Sequence, residues 1–163
     1  MDNNRSFAYD DILLIPGKSS IESRNQIDIG VEIGYTRLSC PILSSPMDTV
    51  TTAPMAAAVS KAGGMGVLHR YNEPSEQVSM VVQARDLGAE NIAAAIGTTG
   101  DFLHRARLLK SEGVTNFCID VAHGHHISVE RALKKLKDCF GEDVNIIAGN
   151  IATQEGYVDL ATW

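Results

Sequence analysis

Five short apolar runs alternate with five helix-like patterns along residues 41–163, and this alternation constrains the fold more than any other feature. The apolar runs occupy residues 41–45, 65–69, 91–96, 116–121 and 144–148. The predicted helices, with apolar side chains at helical spacing, begin at or near residues 52, 73, 101, 127 and 153. Because strands and helices succeed one another strictly, the sequence predicts an α/β fold with a parallel sheet covered by helices.

Two α/β architectures fit this pattern, an open doubly wound sheet and a (β/α)8 barrel. The Gly-x-Gly-x-x-Gly sequence of dinucleotide-binding open sheets does not follow the first run, which favours the barrel. A whole barrel needs about 250 residues, whereas this chain has 163 and stops within a helical pattern at Trp163. We therefore predict a partial TIM (β/α)8 barrel, about five βα units over residues 41–163. An N-terminal arm is predicted over residues 1–40, with short strands at 12–15 and around 27–29.

Composition and charge disfavour several classes of function. Fourteen Lys and Arg against 20 Asp and Glu give a formal net charge of -6, so we expect no nucleic acid and no membrane as partner. No apolar run approaches the roughly 20 residues that span a bilayer. Because the first residues, Met-Asp-Asn-Asn-Arg, lack the apolar run of a secretion signal, a cytoplasmic location is expected.

Cysteine and histidine spacing predicts neither disulfides nor a metal site. Cys40, Cys118 and Cys139 show no Cys-x-x-Cys spacing and are expected to be reduced thiols that pack as small apolar residues. The cluster His123–His126 invites a zinc assignment, but no matching ligands occur at suitable spacing elsewhere. A loop that contacts solvent or ligand is the preferred interpretation.

Polar groups follow all five predicted strands. In a barrel the carboxyl ends of the strands form one face and assemble the ligand site. Here they carry Ser44-Ser-Pro-Met-Asp48, His69-Arg70-Tyr71, Gly97-Thr98-Thr99, Asp120–His126 and Gly149-Asn150. These groups suit a polar ligand with hydroxyls and a planar heterocycle. Met47 could lie against a ring that Ser45 hydrogen-bonds, while Asp120 and Asn150 could hold ribose hydroxyls.

Simpler roles stay open for several of these residues. Ser45 and Thr98 could cap the helices that follow them. Asp48 could be a helix-start carboxylate instead of an acid catalyst, and Met47 could belong to the core. Asp120 differs, because a carboxylate at the end of a buried strand is costly unless it is paired or functional.

The run Pro41–Thr51, Pro-Ile-Leu-Ser-Ser-Pro-Met-Asp-Thr-Val-Thr, strongly resembles the first barrel strand and loop of IMP dehydrogenases. Four further segments agree in order and spacing. Phe7–Pro16 is similar to the family's N-terminal arm, Gly63–His69 to its second strand, and Ile119–His125 and Ala148–Gly156 to its fourth and fifth strand ends. The family pairs IMP dehydrogenase with GMP reductase, nicotinamide enzymes on a barrel that act at purine C2.

The resemblance implies roles for five residues. Ser45 and Met47 match positions that contact the purine nucleotide. Asp120 matches a carboxylate that binds the nicotinamide riboside, Thr98 lies in a loop near the cofactor, and Asn150 lines the catalytic pocket. The family's catalytic cysteine loop, phosphate-binding strands and flap follow the fifth strand, so no catalytic residue is expected in this chain. Since the dehydrogenase reaction passes through a cysteine adduct, the chain alone is expected to be inactive.

The resemblance is divided between the two enzymes. Dehydrogenases usually carry a CBS-domain pair after the second helix, but Gln83–Asn91 leads directly into the third strand, so no CBS insertion is expected. Reductases lack it too, and Ser19–Asp28 is similar to their arm, although Arg70 stands where they often have lysine. Ser44–Met47 and Ala148–Thr153 favour the dehydrogenase. We expect IMP and NAD to give XMP and NADH, with a GMP reductase or a non-catalytic fragment for nucleotide binding or assembly as alternatives.

The resemblance also implies partners. They are a purine nucleotide monophosphate and NAD, or alternatively NADP, with a monovalent cation held by the part beyond this chain. A partial barrel leaves two strand edges and part of its apolar interior uncovered. We therefore expect a homo-oligomer, or a complementary C-terminal half-barrel, to cover the edges near residues 41–45 and 144–148.

Overall fold

The computed structural model describes residues 7–163, so the first six residues of the predicted arm lie outside the described residues. Within this range the chain forms six strands and five α-helices. In chain order they are β1 Val31–Ile33, β2 Thr36–Leu38, α1 Ala53–Lys61, β3 Gly66–Leu68, α2 Pro74–Asp86, β4 Ile92–Ile96, α3 Phe102–Ser111, β5 Asn116–Ile119, α4 Ile127–Phe140, β6 Asn145–Ile147 and α5 Gln154–Thr162. None of these helices is long and apolar enough to cross a membrane.

A four-stranded parallel sheet in the order β3-β4-β5-β6 forms the centre of the molecule. The predicted α/β fold is therefore confirmed. The first predicted strand, 41–45, is shorter than expected and consists of one parallel bridge between Leu43 and Met65. Its ends are Pro41 and Pro46, and proline has no N–H to extend a ladder.

The outer face of the sheet packs against the helices in a continuous apolar core. Fully buried side chains of this core include Leu68, Ile96, Phe117, Leu109 and Leu136. Helix α1 approaches β3 so closely that a side chain at Gly66 would overlap the backbone of Ala56. The run of alanines in α1 is what allows this approach.

The inner face of the sheet is covered at its amino-terminal end by the β1–β2 hairpin. Leu38 from β2 is fully buried there against Met65, Val67, Ala93 and Ala95. Thr36 Oγ1 donates to Asn116 Oδ1 at 3.1 Å, and Asn145 Nδ2 donates to the same oxygen at 2.8 Å. Asn116 and Asn145 are the first residues of β5 and β6, so the hairpin lies across the start of the strands.

The arm differs from its predicted strands. Residues 12–15 form no strand, and Leu13, Leu14 and Ile15 are 94%, 98% and 94% exposed. Residues 27–29 form no strand either. Neither segment has a partner strand within residues 7–163, and a strand needs one to satisfy its backbone groups. The strands of this region lie instead at residues 31–38, where Gly34 takes a positive φ of 54° in the two-residue turn.

Candidate functional site

The four sheet strands are parallel, so their carboxyl ends lie along one edge and bring the predicted polar groups to it. The loop Ser44–Asp48 begins beside this edge, where the Val67 amide donates to Ser44 Oγ at 3.2 Å. The loop turns back on itself, because the Met47 amide donates to the Ser45 carbonyl at 2.8 Å. Buried Thr51 fixes the turn by donating its hydroxyl to the same carbonyl at 2.6 Å. Met47 is left 51% exposed, so its thioether lies on the surface and not in the core.

Asp120, at the end of β5, is held by Arg70 from the end of β3. Arg70 Nε donates to Asp120 Oδ2 at 3.1 Å, and Nη2 donates to the Asp120 carbonyl at 2.9 Å. The two side chains are 32% and 24% exposed, which leaves the pair open to a ligand. The expectation that this carboxylate is paired or functional is met by a specific partner. In the sequence Arg70 is one of the polar groups after the second predicted strand and a departure from lysine, but nothing local in sequence links it to Asp120, 50 positions away.

Thr98 follows β4 and lies beside the start of α4. Its hydroxyl donates to Ser128 Oγ at 3.2 Å, and the Ser128 amide donates to His126 Nδ1, the side chain that caps the helix. Thr98 therefore does not cap α3, where Asp101 is the N-cap residue. Its hydroxyl instead ties the β4 end to α4.

Asn150, at the end of β6, has an unusual backbone. Its φ is 56°, the left-handed conformation that asparagine tolerates better than most residues. The Gly124 amide donates to the Asn150 carbonyl at 2.9 Å. A side chain at buried Gly124 would overlap the carbonyl oxygen of Gly149, so glycine is required for the β5 and β6 loops to meet. The Asn150 side chain itself is exposed.

The histidine cluster has other partners than a metal. His125 Nε2 lies 2.8 Å from Asp159 Oδ2 in α5, and the His125 ring lies near Trp163. His126 caps α4 as described. Within residues 7–163 no three His, Cys, Asp or Glu side chains are grouped so that they could hold a metal ion.

Cys118 faces the inner side of β5, two residues before Asp120. Burial raises the pKa of its thiol to about 11, and the Asp120 charge adds to this rise. A thiol with this pKa stays protonated near neutrality and is a poor nucleophile. Cys40 and Cys139 are likewise free thiols, and Cys139 Sγ accepts from Arg107 Nε of α3.

The residues predicted from the sequence thus lie along the edge where the strands end, but hydrogen bonds do not connect all of them. Asp120 gains Arg70, and the Asn150 carbonyl joins the Gly124 loop. Among the described residues, no hydrogen bond connects Ser45 or Met47 with these groups. Sequence reasoning missed Gly124 and Ser128. A glycine between two histidines was the only signal for the first, and a serine at a helix start was the only signal for the second.

Comparison with known protein families adds an independent finding. Residues 6–163 match the model of the IMP dehydrogenase / GMP reductase domain. A GMP reductase of Albidiferax ferrireducens is 35% identical over 158 residues, covering 96% of this chain and 48% of the relative. An inosine-5'-monophosphate dehydrogenase of Korarchaeum cryptofilum is 49% identical over 75 residues, 46% of this chain and 16% of the relative.

A solved structure shows the same architecture. The crystal structure of inosine 5'-monophosphate dehydrogenase from Legionella pneumophila superposes with a TM-score of 0.85 at 33% sequence identity. The superposition covers 97% of this chain and 48% of that one. The chain therefore corresponds to part of that protein's TIM barrel, and it spans about half the length of these full-coverage matches.

Proposed function

Since the chain belongs to the IMP dehydrogenase / GMP reductase family, we propose that it supplies one half of the ligand site of a purine-nucleotide oxidoreductase. The observation that carries this proposal is the single edge where the strands of the parallel sheet end in polar, partly exposed groups. In barrels this edge is where ligands bind. The active enzyme would be a complete barrel, of which this chain covers about half.

The family implies a nicotinamide cofactor, and the groups at the β5 end fit a nucleoside ribose. Asp120 Oδ2 is engaged by Arg70, whereas Oδ1 has no hydrogen-bond partner among the described residues. A partly exposed carboxylate with a free oxygen can accept from ribose hydroxyls. Asp120 would hold the cofactor, with Thr98 and Asn150 beside it. The cofactor itself supplies the hydride chemistry. We propose NAD, with NADP as the alternative.

The purine would lie against the loop Ser44–Asp48. Met47 offers an exposed, polarisable thioether to a planar ring. The Ser45 carbonyl is taken by Thr51 and the Met47 amide, whereas the Ser45 hydroxyl makes no hydrogen bond within residues 7–163 and is free for the substrate. The loop is therefore rigid in its backbone and open in its side chains, as a binding surface requires.

The chain alone is proposed to be inactive. Of its three cysteines, Cys118 is the one on a sheet strand and faces the inner side, but its pKa of about 11 keeps it protonated. No thiol at this edge is thus prepared for attack on a purine. The nucleophile would come from the other half of the barrel.

Activity tests this proposal directly. In a barrel completed with the C-terminal half of a family member, IMP and NAD should yield NADH, followed by its absorbance. The same barrel carrying Asp120→Asn should lose most of this activity, while Arg131→Gln on the exposed side of α4 should not. A completed, folded barrel that forms no NADH would reject the dehydrogenase.

GMP reductase is the second candidate, and one observation favours it: α2 at Pro74–Asp86 connects to β4 at Ile92 through five residues, with no inserted domain. The alignments favour neither enzyme, because a GMP reductase covers 96% of the chain and an inosine 5'-monophosphate dehydrogenase structure covers 97% of it. The same completed barrel, given GMP and NADPH, should then consume NADPH and release ammonia. Activity in this direction alone would assign the reductase.

A partner is proposed to pair with the two outermost segments of the sheet, β6 and the one at Leu43, whose outer backbone groups are unpaired among the described residues. Within the described residues, β6 pairs only with β5, and Leu43 pairs only with Met65, the residue before β3. Unpaired strand edges bind further strands readily. We propose a complementary half-barrel or, without it, a second copy of the chain. Sedimentation of the 163-residue chain tests this, and a stable dilute monomer would contradict it.

A further inference from the structure

The Arg70 side chain reaches past the end of one intervening strand to contact Asp120. It follows β3, Asp120 follows β5, and β4 lies between them. The guanidinium engages the aspartate twice, through Nε to the carboxylate Oδ2 and through Nη2 to the main-chain carbonyl. Two hydrogen bonds from one planar group to one residue fix both its side chain and its backbone.

Gly97 lies beside this crossing. It is the residue directly after β4, and a Cβ built on it would lie 3.4 Å from Arg70 Nη1 and 3.7 Å from Cζ. A methyl group would thus make ordinary van der Waals contact with the guanidinium, whereas a larger side chain could reach into its volume. Tyr71 lies on another side, with its ring centroid 5.5 Å from Arg70 Cζ. The guanidinium is therefore held between the strand end and an aromatic ring.

The arrangement leaves one atom of each partner unused. Asp120 Oδ1 and Arg70 Nη1 have no hydrogen-bond partner within residues 7–163. If Arg70 were absent, the carboxylate could rotate about its side-chain torsions, because no other described side chain bonds it. Holding Oδ2 leaves Oδ1 in one place, which is the pre-organisation that binding a diol requires.

We infer that Arg70 is the positioning residue of the cofactor subsite: it orients the Asp120 carboxylate so that the free oxygen accepts from the ribose diol of a nicotinamide nucleotide. This rests on the proposed function, because Asp120 must be the ribose ligand. Arg70 acts through Asp120 and needs no contact with the cofactor.

A double-mutant cycle on the 163-residue chain tests this inference, with NAD titrations followed by amide chemical shifts. Arg70→Gln should weaken NAD binding about tenfold, since the carboxylate loses its orientation. Arg70→Lys should recover part of this loss, because an ammonium keeps one bond but not the planar pair. The double variant with Asp120→Asn should bind no more weakly than Asp120→Asn alone, because the two residues act as one unit.

Further variants separate positioning from folding. Gly97→Val should reproduce the Arg70→Gln loss without changing either partner, and Arg131→Gln is the matched arginine control that should bind normally. Thermal unfolding should hardly change for Arg70→Gln, because the pair is partly exposed. Losses that multiply in the double variant, or an unchanged affinity for Arg70→Gln, would overturn the inference.

Titration with IMP distinguishes the two proposals. Suppose that IMP changes the amide chemical shifts of Ser45 and Met47, and that the Arg70 variants bind NAD as tightly as the unchanged chain. This result would support the proposed function and reject the inference. A chain that binds neither NAD nor NADPH would reject the inference too. In these titrations, the proposed function is contradicted if the chain also fails to bind IMP.

Discussion

The two ends of the parallel sheet contain similar residue types used in opposite ways. At the amino end, Asn116 is buried and its side-chain oxygen accepts from both Thr36 and Asn145. At the carboxyl end, Asp120 is partly exposed and keeps one oxygen free. The first arrangement uses up its hydrogen bonds inside the protein, and the second leaves some for a ligand. The amino end should therefore determine stability and the carboxyl end should determine binding.

Removing the hairpin's apolar contact should have the largest effect on stability. Leu38→Ala deletes a fully buried side chain from the inner-face cluster and should lower the free energy of unfolding by about 3 kcal/mol. Chemical denaturation measures this. Leu14→Ala is the matched control, since Leu14 is 98% exposed, and it should change stability by less than about 0.5 kcal/mol. Equal losses would contradict the buried position of the hairpin.

Breaking the amide network should cost somewhat less. Asn116→Ala leaves the Thr36 hydroxyl and the Asn145 amide without their acceptor, at a cost of about 2 kcal/mol. Denaturation again gives the value, and NAD titration of the same variant should show unchanged affinity at temperatures where it is folded. A binding defect in the folded variant would break the division between the two ends.

At the carboxyl end of the sheet, replacing Asn150 should leave stability nearly unchanged. Asn150→Gly keeps the positive φ available and removes an exposed side chain, so the free energy of unfolding should change by less than about 0.5 kcal/mol. NAD affinity or turnover in the completed barrel should nevertheless fall if Asn150 lines the pocket. A variant that is destabilised and binds normally would reverse the proposed roles.

The smallest expected effect concerns Cys118. Asp120→Asn removes one of the two causes that raise the pKa of its thiol, so alkylation at pH 8 should accelerate about threefold. Rates are measured with iodoacetamide in a Cys40→Ser, Cys139→Ser background.

Stability should also respond to pH, because the thiol has its ordinary pKa of 9.0 in the unfolded chain and a pKa of about 11 in the folded one. The contribution of the buried thiol is therefore full below pH 9 and falls between these two values. A stability profile that is flat across this interval would contradict the burial of the thiol.

Much of the fold was accessible from sequence, because apolar runs of strand length and helical spacing are local signals. Gly63, the residue after the α1 C-cap Ala62, has a positive φ of 89°, which is a common way for a helix to end and one that glycine signals in the sequence. The arm was harder. Ile12–Ile15 has the residue pattern of a strand, but a strand forms only with a partner strand. The hairpin at 31–38 is positioned by hydrogen bonds to Asn116 and Asn145, which are distant in sequence.

The candidate site, like the fold, was predictable where its signals are local in the sequence. The strand ends were predicted as a set because parallel strands share one edge, and Asp120 was singled out by the cost of a buried carboxylate. Its partner Arg70 was not, because the contact crosses a strand and joins residues 50 positions apart. The roles of Ser45, Met47, Thr98, Asp120 and Asn150, like the cytoplasmic location, stay predictions.

The contact between the hairpin and Asn145 also orders events during synthesis. Tyr35 and Asn145 are 110 residues apart, which a ribosome adding roughly 5 to 20 residues per second covers in about 5 to 20 seconds. During that time the apolar partners of Leu38 on β3 and β4 have already been made, whereas the hydrogen bonds from the hairpin to Asn145 cannot yet form. The hairpin, first to leave the ribosome among the strands, therefore completes its contacts only after β6 has been made.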